Sequence, residues 1–300
     1  MKALRAAAAA GAAFLCLAAD GGTRPLRVAT LNTILTEIAR EVGGAGAEVV
    51  GLVAPGVDPH TFNPSPADIR AVVDADVILA SGLNIEVYLD RLAADVGPKG
   101  RLVAVGDELP ASMLITGEGG RAEKDPHWWH SIANMLVAVD VVEREFARDR
   151  PALATQFRAN AEGYCARLRI LRKWAEGEME GLPRERRHLV TSHDAFGYFA
   201  RDFGFTIHAI TGPSTESEAD ARNVAALIDL IRLDRIGAVF AESTVDPRLV
   251  GDLVRETGVR LGGTLYADGL GPPGSGAETY DLMYRRNVLL IVGALSGNGP

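Results

Sequence analysis

The chain has 300 residues, of which 47% are hydrophobic and 23% are charged, and its formal net charge is -8 at pH 7. This length and composition are typical of a soluble globular protein with one large domain or two modest ones. The acidic balance argues against a nucleic-acid partner, because such a partner requires a clustered basic surface on the protein.

The first 19 residues have the pattern of a cleaved export signal. Lys2 and Arg5 give a positively charged start, and the apolar run that follows ends in small residues and is too short to span a membrane. We therefore predict a periplasmic protein that is exported through a cleaved signal peptide. A lipid anchor on Cys16 is the alternative, which the bulky Leu15 before it disfavours.

Residues 25–150 alternate between strand and helix patterns. Short runs rich in valine, isoleucine and leucine predict strands at 25–31, 47–53 and 76–82, and apolar residues at helical spacing predict a helix at 32–42. A β-α-β-α-β order of this kind predicts a parallel sheet with crossover helices, and therefore an N-terminal α/β lobe.

A long helical pattern follows at 135–181, and Pro151 can begin a second helix within it. We predict a connecting helix at 151–181 and a second α/β lobe at 182–300. The strands predicted in that lobe lie at 187–192, 205–210 and 236–242, with a fourth that ends near Tyr266. The chain is thus predicted to be an α/β protein with two Rossmann-like lobes, each built on a parallel sheet, joined by a long rigid helix.

In open parallel sheets, ligands bind beyond the carboxyl ends of the strands, and several polar side chains occupy such positions or a helix entrance. These candidates are His60, His127, His193, Glu242 and Asp268. Three imidazoles and one carboxylate form a closed tetrahedral site for which zinc is favoured. A multi-thiolate site is excluded, since one cysteine is left once the signal is removed. The wide spacing of the candidates matches no local zinc motif, so a hydrogen-bonding role in a turn remains open for each histidine.

These candidates lie within six co-linear motifs. The motifs resemble those of the metal-binding substrate-binding proteins of zinc and manganese ABC transporters, and the similarity covers nearly all of the chain after the signal. Six motifs in one order are far more specific than any of them alone. They are DPHTFNPSPADI (58–69), SGLNIEVYLDRL (81–92), DPHWW (125–129), TSHDAFGYFARDFG (191–204), FAESTV (240–245) and YADGLG (266–271).

The resemblance implies a metal site between the two lobes, with ligands His60, His127, His193 and Asp268. Manganese-preferring members often have glutamate at the position of His193, so the softer nitrogen favours Zn²⁺ as the transported ion, with Mn²⁺ as the alternative. The resemblance further implies a monomeric, high-affinity periplasmic protein without enzymatic activity, which delivers the ion to an ABC transporter membrane permease for import. Imidazole ligands also predict that metal affinity falls as the pH falls through the histidine range, near about 6.5.

Residues beside these positions are expected to have other roles. Trp128 and Trp129 are expected to pack and to shield the site from water. His130 does not occupy a ligand position of the family and is expected to pack or hydrogen-bond, although its spacing from His127 would also allow both imidazoles to reach one ion. Ser131 is expected to cap the helix that follows.

Three acidic side chains and one loop complete the predictions. Glu242 is expected to orient a ligand imidazole or to pair with a cation, with a fifth ligand position as the alternative. Asp58 and Asp125 are expected to cap turns. The acidic segment 211–220 is expected to be a solvated loop, or else a surface that faces a membrane partner.

Two other functions would use similar metal chemistry. A zinc hydrolase would keep three protein ligands and a water on the ion, with Glu242 as the general base if Asp268 were not a ligand. An adhesin or a metal buffer would bind the ion without passing it to a transporter. The number of protein ligands distinguishes the hydrolase from a binding protein, because a tetrahedron completed by four protein ligands leaves no position for a substrate.

Overall fold

The structure, a computed structural model, describes residues 24–96, 100–116, 123–217 and 220–297. The predicted signal peptide and the alternative lipid anchor at Cys16 lie outside these ranges. Among the helices of the described ranges, none combines the length and the apolar character that crossing a membrane requires.

The N-terminal lobe is built on a parallel four-stranded sheet in the order β2-β1-β3-β4. Its strands are β1 (Leu26–Thr30), β2 (Ala47–Gly51), β3 (Val77–Ala80) and β4 (Arg101–Ala104), and its first helices are α1 (Thr33–Gly43), α2 (Pro66–Val73) and α3 (Leu89–Val96). Alternate residues of β3 pack into different core clusters, Val77 and Leu79 into one and Ile78 and Ala80 into the other. Both faces of the sheet are therefore covered, as the apolar character of this strand requires.

The C-terminal lobe repeats this plan with a parallel sheet in the order β6-β5-β7-β8. Its strands are β5 (His188–Thr191), β6 (Thr206–Ala209), β7 (Ala238–Glu242) and β8 (Arg260–Leu265), and its helices are α6 (Gly197–Phe203), α7 (Ala221–Leu233), α8 (Arg248–Thr257) and α9 (Tyr280–Leu295). In both sheets the strand order reverses after the first crossover, which creates a switch point between the first and third strands of each lobe. The predicted pair of Rossmann-like lobes is confirmed.

A long helix joins the two lobes. Helix α4 (Ile132–Asp149) ends before Pro151, a short 3₁₀ turn follows, and α5 (Ala154–Glu180) then runs for 27 residues, or about 40 Å. Proline interrupts the helix here because it lacks the backbone N–H that an interior position must donate. We propose the boundaries 25–150, 151–181 and 182–300 for the N-terminal lobe, the connecting helix and the C-terminal lobe.

Helix α5 contacts both lobes. The Tyr164 hydroxyl donates to Glu37 in α1 at 2.8 Å, and the guanidinium of Arg285 in α9 lies 4.4 Å from the centroid of the Trp174 ring. Because one helix packs on both lobes, a large rotation of one lobe against the other would break packed contacts.

The segment 125–131, DPHWWHS, lies between the lobes. The indole N–H of Trp128 donates to the Ser81 carbonyl of the N-terminal lobe at 3.1 Å, and that of Trp129 donates to the Ala267 carbonyl of the C-terminal lobe at 2.9 Å. Both rings are fully buried in a core cluster that contains residues of both lobes. The two tryptophans therefore attach the segment to both lobes.

Candidate metal centre

Four buried side chains bring potential ligand atoms together between the lobes: His60, His127, His193 and Asp268. Nε2 of His127 lies 3.2 Å from Nε2 of His60 and 3.4 Å from Nε2 of His193. Oδ1 of Asp268 lies 3.2–3.5 Å from the Nε2 atoms of all three histidines. A regular tetrahedron with such edges has its centre about 2.0–2.1 Å from each corner, which is the usual bond length from zinc to nitrogen or oxygen. Five of the six distances between the four atoms therefore match the edges of one tetrahedral Zn²⁺ site, and all four atoms lie within 4.8 Å of one another.

Three of these side chains follow strands, and the fourth lies in the segment between the lobes. His60 lies in the proline-rich loop after β2, His193 follows the end of β5 by two residues, and Asp268 follows the end of β8 by three. His127 precedes a 3₁₀ turn that leads into α4. Two of the side chains come before the connecting helix in the chain and two come after it, so an ion bound by all four would link the lobes.

Asp268 has one carboxylate oxygen without a hydrogen-bond donor. Its Oδ2 accepts a hydrogen bond from the Thr244 hydroxyl at 2.5 Å, whereas Oδ1 has no hydrogen-bond partner among the described residues. The side chain is buried, and an unpaired anionic oxygen in such a place costs free energy unless a donor or a cation compensates it. Because Oδ1 faces the imidazole nitrogens, a metal ion in the centre of the cluster would satisfy it.

Two of the imidazoles are oriented by carboxylates on their outer nitrogen. Nδ1 of His127 donates to Asp125 at 2.8 Å, and Nδ1 of His193 donates to Glu242. A proton on Nδ1 leaves the lone pair of Nε2 free for a metal ion, and the carboxylate makes that nitrogen more basic. Glu242 also accepts the backbone N–H of His193 at 3.1 Å, so both of its oxygens are engaged with His193 rather than with the centre of the cluster. This geometry favours the orienting role of Glu242 over a fifth ligand position.

The charges in the cluster shift the pKa values of its members. Burial by itself lowers the pKa of His127, but Asp125 and Asp268 outweigh it and raise the pKa to about 9. Burial also opposes the charge on His193, and Asp268 and Glu242 nevertheless hold its pKa well above the usual value. Burial favours the neutral form of Asp268, but the charge of His193 and the close imidazoles of His127 and His60 outweigh it and hold the pKa of this carboxyl well below its usual range. The metal-free cluster therefore binds protons that an incoming cation must displace.

His130, three residues after His127, does not join the cluster. Its Nε2 donates to the Ala267 carbonyl at 2.8 Å, and its ring centroid lies 4.4 Å from that of Phe196. Burial, helped by the charge of His127, lowers the pKa of His130 to about 4, so this imidazole stays neutral. These contacts agree with the packing and hydrogen-bonding role predicted for His130.

Ser131 does not make the helix cap that the sequence predicts. It occupies the N-cap position of α4, but its side chain makes no capping hydrogen bond. The hydroxyl instead donates to Asp202 at 2.5 Å and accepts from Arg201 at 3.2 Å. The ionised partners in the C-terminal lobe form stronger hydrogen bonds than a backbone N–H would, and they attach the interlobe segment to that lobe.

The predicted turn caps at Asp58 and Asp125 are present. Oδ1 of each aspartate accepts the backbone N–H of the histidine two residues later, His60 or His127, at 2.9 Å. Asp125 has a second role that the turn pattern does not reveal, because the same oxygen accepts from Nδ1 of His127. The sequence signal for this role is an aspartate two residues before a ligand histidine, since that spacing lets one carboxylate reach both groups.

The segment 211–220, predicted to be a solvated loop or a surface that faces a membrane partner, is partly accessible to solvent in the part that the structure describes, 211–217. Of these seven residues only Glu216 is exposed, and the others are half-buried. The loop packs at the cleft, where the Thr215 hydroxyl donates to Asp58 of the N-terminal lobe at 2.6 Å. One polar side chain of this loop, Thr215, therefore makes a contact between the lobes.

The chain is similar to known proteins along nearly its full length. Residues 28–294 match the family model described as zinc-uptake complex component A, periplasmic. The manganese-binding lipoprotein MntA of Bacillus subtilis (strain 168) is 36% identical over 283 residues, which cover 93% of this chain and 92% of that protein. The zinc-binding protein TroA of Treponema pallidum (strain Nichols) is 33% identical over 284 residues, which cover 93% of this chain and 91% of that protein.

The fold is also similar to that of a solved structure, the periplasmic zinc-binding protein TroA from Treponema pallidum. The TM-score is 0.85 at 31% sequence identity, and the match covers 91% of this chain and 99% of that chain. A match of this extent includes both lobes and the helix between them.

Proposed function

The chain belongs to the periplasmic zinc-uptake complex component A family, and on this premise we propose that it is a high-affinity solute-binding protein that captures a divalent transition-metal ion between its lobes. The proposed ligands are His60, His127, His193 and Asp268, and Zn²⁺ is the favoured ion. The protein delivers this ion to the membrane permease of an ABC transporter for import.

One observation carries the proposal. Oδ1 of Asp268 is buried and has no hydrogen-bond partner among the described residues. It lies 3.2–3.5 Å from three imidazole nitrogens, which is about the distance between two ligand atoms of a tetrahedral zinc site. Three nitrogen ligands suit zinc, whereas manganese is better suited by carboxylate, carbonyl and water oxygens. Manganese is the second candidate ion, because MntA is named as manganese-binding and TroA as zinc-binding.

A zinc hydrolase fits these residues less well. Four protein donors complete a tetrahedron and leave no position for a reactive water. Glu242, the candidate general base, already accepts two hydrogen bonds from His193. The family to which the chain belongs is a binding component of a transporter, which supports the same conclusion.

Export and partners complete the proposal. The pattern of the first 19 residues supports a periplasmic protein released from a cleaved signal. A lipid anchor is the alternative form, since MntA is named as a lipoprotein and Cys16 supplies the thiol that such an anchor requires. We propose a monomer without a nucleic-acid partner, in agreement with the net charge of -8.

The metal content of protein purified from its native compartment, without added metal, tests this proposal. We expect close to one equivalent of zinc per chain by mass spectrometry of the elements. Binding in the test tube is a weaker criterion, because zinc outcompetes manganese at most sites of this kind. Manganese in place of zinc would overturn the choice of ion. Absence of any transition metal, together with no zinc binding by the purified protein, would overturn the function.

A further inference from the structure

His60 is the predicted ligand nearest to solvent. Its side chain is 5% exposed, whereas His127 and His193 are 0% exposed and Asp268 is 2% exposed. Carboxylates hold Nδ1 of His127 and of His193, but no described residue forms a hydrogen bond with Nδ1 of His60. The position of this imidazole therefore depends on the loop that carries it.

Asp58 organises that loop. One of its carboxylate oxygens accepts the backbone N–H of His60 at 2.9 Å, and the other accepts the Thr61 hydroxyl at 3.3 Å. The second oxygen also accepts the hydroxyl of Thr215 at 2.6 Å, and Thr215 belongs to the opposite lobe. The residue that fixes the backbone of His60 is thus itself held from across the cleft.

The loop 211–217, which supplies this hydroxyl, is anchored beside His193. The N–H of Thr211 donates to the Ser192 carbonyl at 3.0 Å, and the N–H of Asp194 donates to a carbonyl of the loop at 3.1 Å. Both residues that flank His193 are therefore bonded to the loop. Hydrogen bonds thus link the two neighbours of His193 to the loop, and the loop in turn to Asp58, which holds His60.

We propose that the Thr215 hydroxyl is a latch, which holds Asp58 and thereby keeps His60 in its ligand position and sets the rate at which the metal ion leaves. This inference rests on the proposed function, because it concerns release from the same site. Thr215 is a positioning residue that acts through Asp58 and does not contact the ion. Outward movement of His60 requires the hydrogen bond between a hydroxyl and a carboxylate to break, which adds to the barrier for release.

Zinc release by a Thr215→Val variant tests the latch. Valine keeps the branched shape of the side chain and removes the donor. Zn²⁺-loaded proteins are mixed with an excess of a chromogenic chelator, and the release rate is followed by stopped flow. We expect release about tenfold faster than in the wild type, as for loss of one hydrogen bond to a charged group, with an association rate within about twofold of the wild type.

Two control variants separate the latch from general loosening of the loop. Thr215→Ser keeps the hydroxyl and is expected to release Zn²⁺ at the wild-type rate. Ser214→Ala removes a hydroxyl that accepts the N–H of Glu216 at 3.2 Å within the same loop, and it should also leave the rate unchanged.

Three outcomes would overturn the latch: a wild-type release rate in Thr215→Val, fast release in Thr215→Ser, or equally fast release in Ser214→Ala. A failure of the proposed function looks different, because the wild-type protein would then bind no Zn²⁺ and no release could be recorded. The latch is supported if Zn²⁺ release is faster in Thr215→Val and unchanged in both Thr215→Ser and Ser214→Ala.

Discussion

Replacement of His127 by alanine is expected to lower the zinc affinity by on the order of 10²–10³-fold, since four ligands share the binding free energy of a tetrahedral zinc site. Its Nε2 lies 3.2–3.5 Å from each of the other three ligand atoms. The ring is fully buried, so alanine leaves a cavity at the centre of the site rather than another donor. Competition against a chelator of known zinc affinity measures the loss.

His130 offers a matched control, because it is a buried histidine in the same segment as His127. We choose His130→Gln, since the glutamine amide can still donate to the Ala267 carbonyl, which His130 Nε2 reaches at 2.8 Å. This variant is expected to retain nearly all of the zinc affinity. Equal losses in the two variants, or a His127→Ala protein that binds zinc as the wild type does, would remove His127 from the ligand set.

Zinc affinity is also expected to fall steeply as the pH is lowered from about 9, the pKa of the metal-free His127, towards 5. Metal binding requires neutral imidazoles, so each displaced proton weakens the apparent affinity by roughly tenfold per pH unit below the pKa of that ligand. The raised pKa of His193 acts in the same direction. The pH at which the zinc affinity begins to fall is therefore higher than the value near 6.5 that the sequence predicts, because Asp125 and Asp268 stabilise the imidazolium of His127.

The metal-free protein should become less stable as the pH rises, whereas its zinc affinity should increase. The pKa of His127 is about 9 in the folded chain, against about 6.5 in an unfolded chain. Its charge therefore stabilises the metal-free fold fully below about pH 6.5, and this contribution is lost as the pH rises towards 9. Chelator competition and thermal unfolding over this pH range measure the two trends. An affinity that stays constant from pH 9 to 5 would contradict the pairing of imidazoles with carboxylates at the site.

The lobes and their parallel sheets are predictable because each strand is a short apolar run next to a helical spacing. Strand β4 (Arg101–Ala104) is not predicted from the sequence in this way. It has four residues, begins with arginine and, among the described strands, lies at the edge of the sheet beside β3, so its apolar run is only three residues long. Arg101 is placed by an ion pair with Asp149 of α4 at 2.9 Å, and no local pattern predicts that contact.

Three of the four clustered side chains are accessible to sequence reasoning because the ends of parallel strands gather at one edge of each sheet. His127 is accessible because it lies at a helix entrance. The contacts that orient them are less accessible. Asp125 can be suspected from its position two residues before His127, but the bond between Asp58 and Thr215 joins residues 157 positions apart and has no local signature. Ser131 shows the same limit, since a capping pattern does not reveal that Asp202 competes for its hydroxyl.

Anomalous diffraction at the zinc absorption edge, from crystals of the Zn²⁺-loaded protein, locates the ion directly. We predict one peak between the lobes, about 2.0–2.1 Å from Nε2 of His60, His127 and His193 and from an oxygen of Asp268. A peak at any other place, or an ion on which water replaces Asp268, would contradict the proposed four-ligand site.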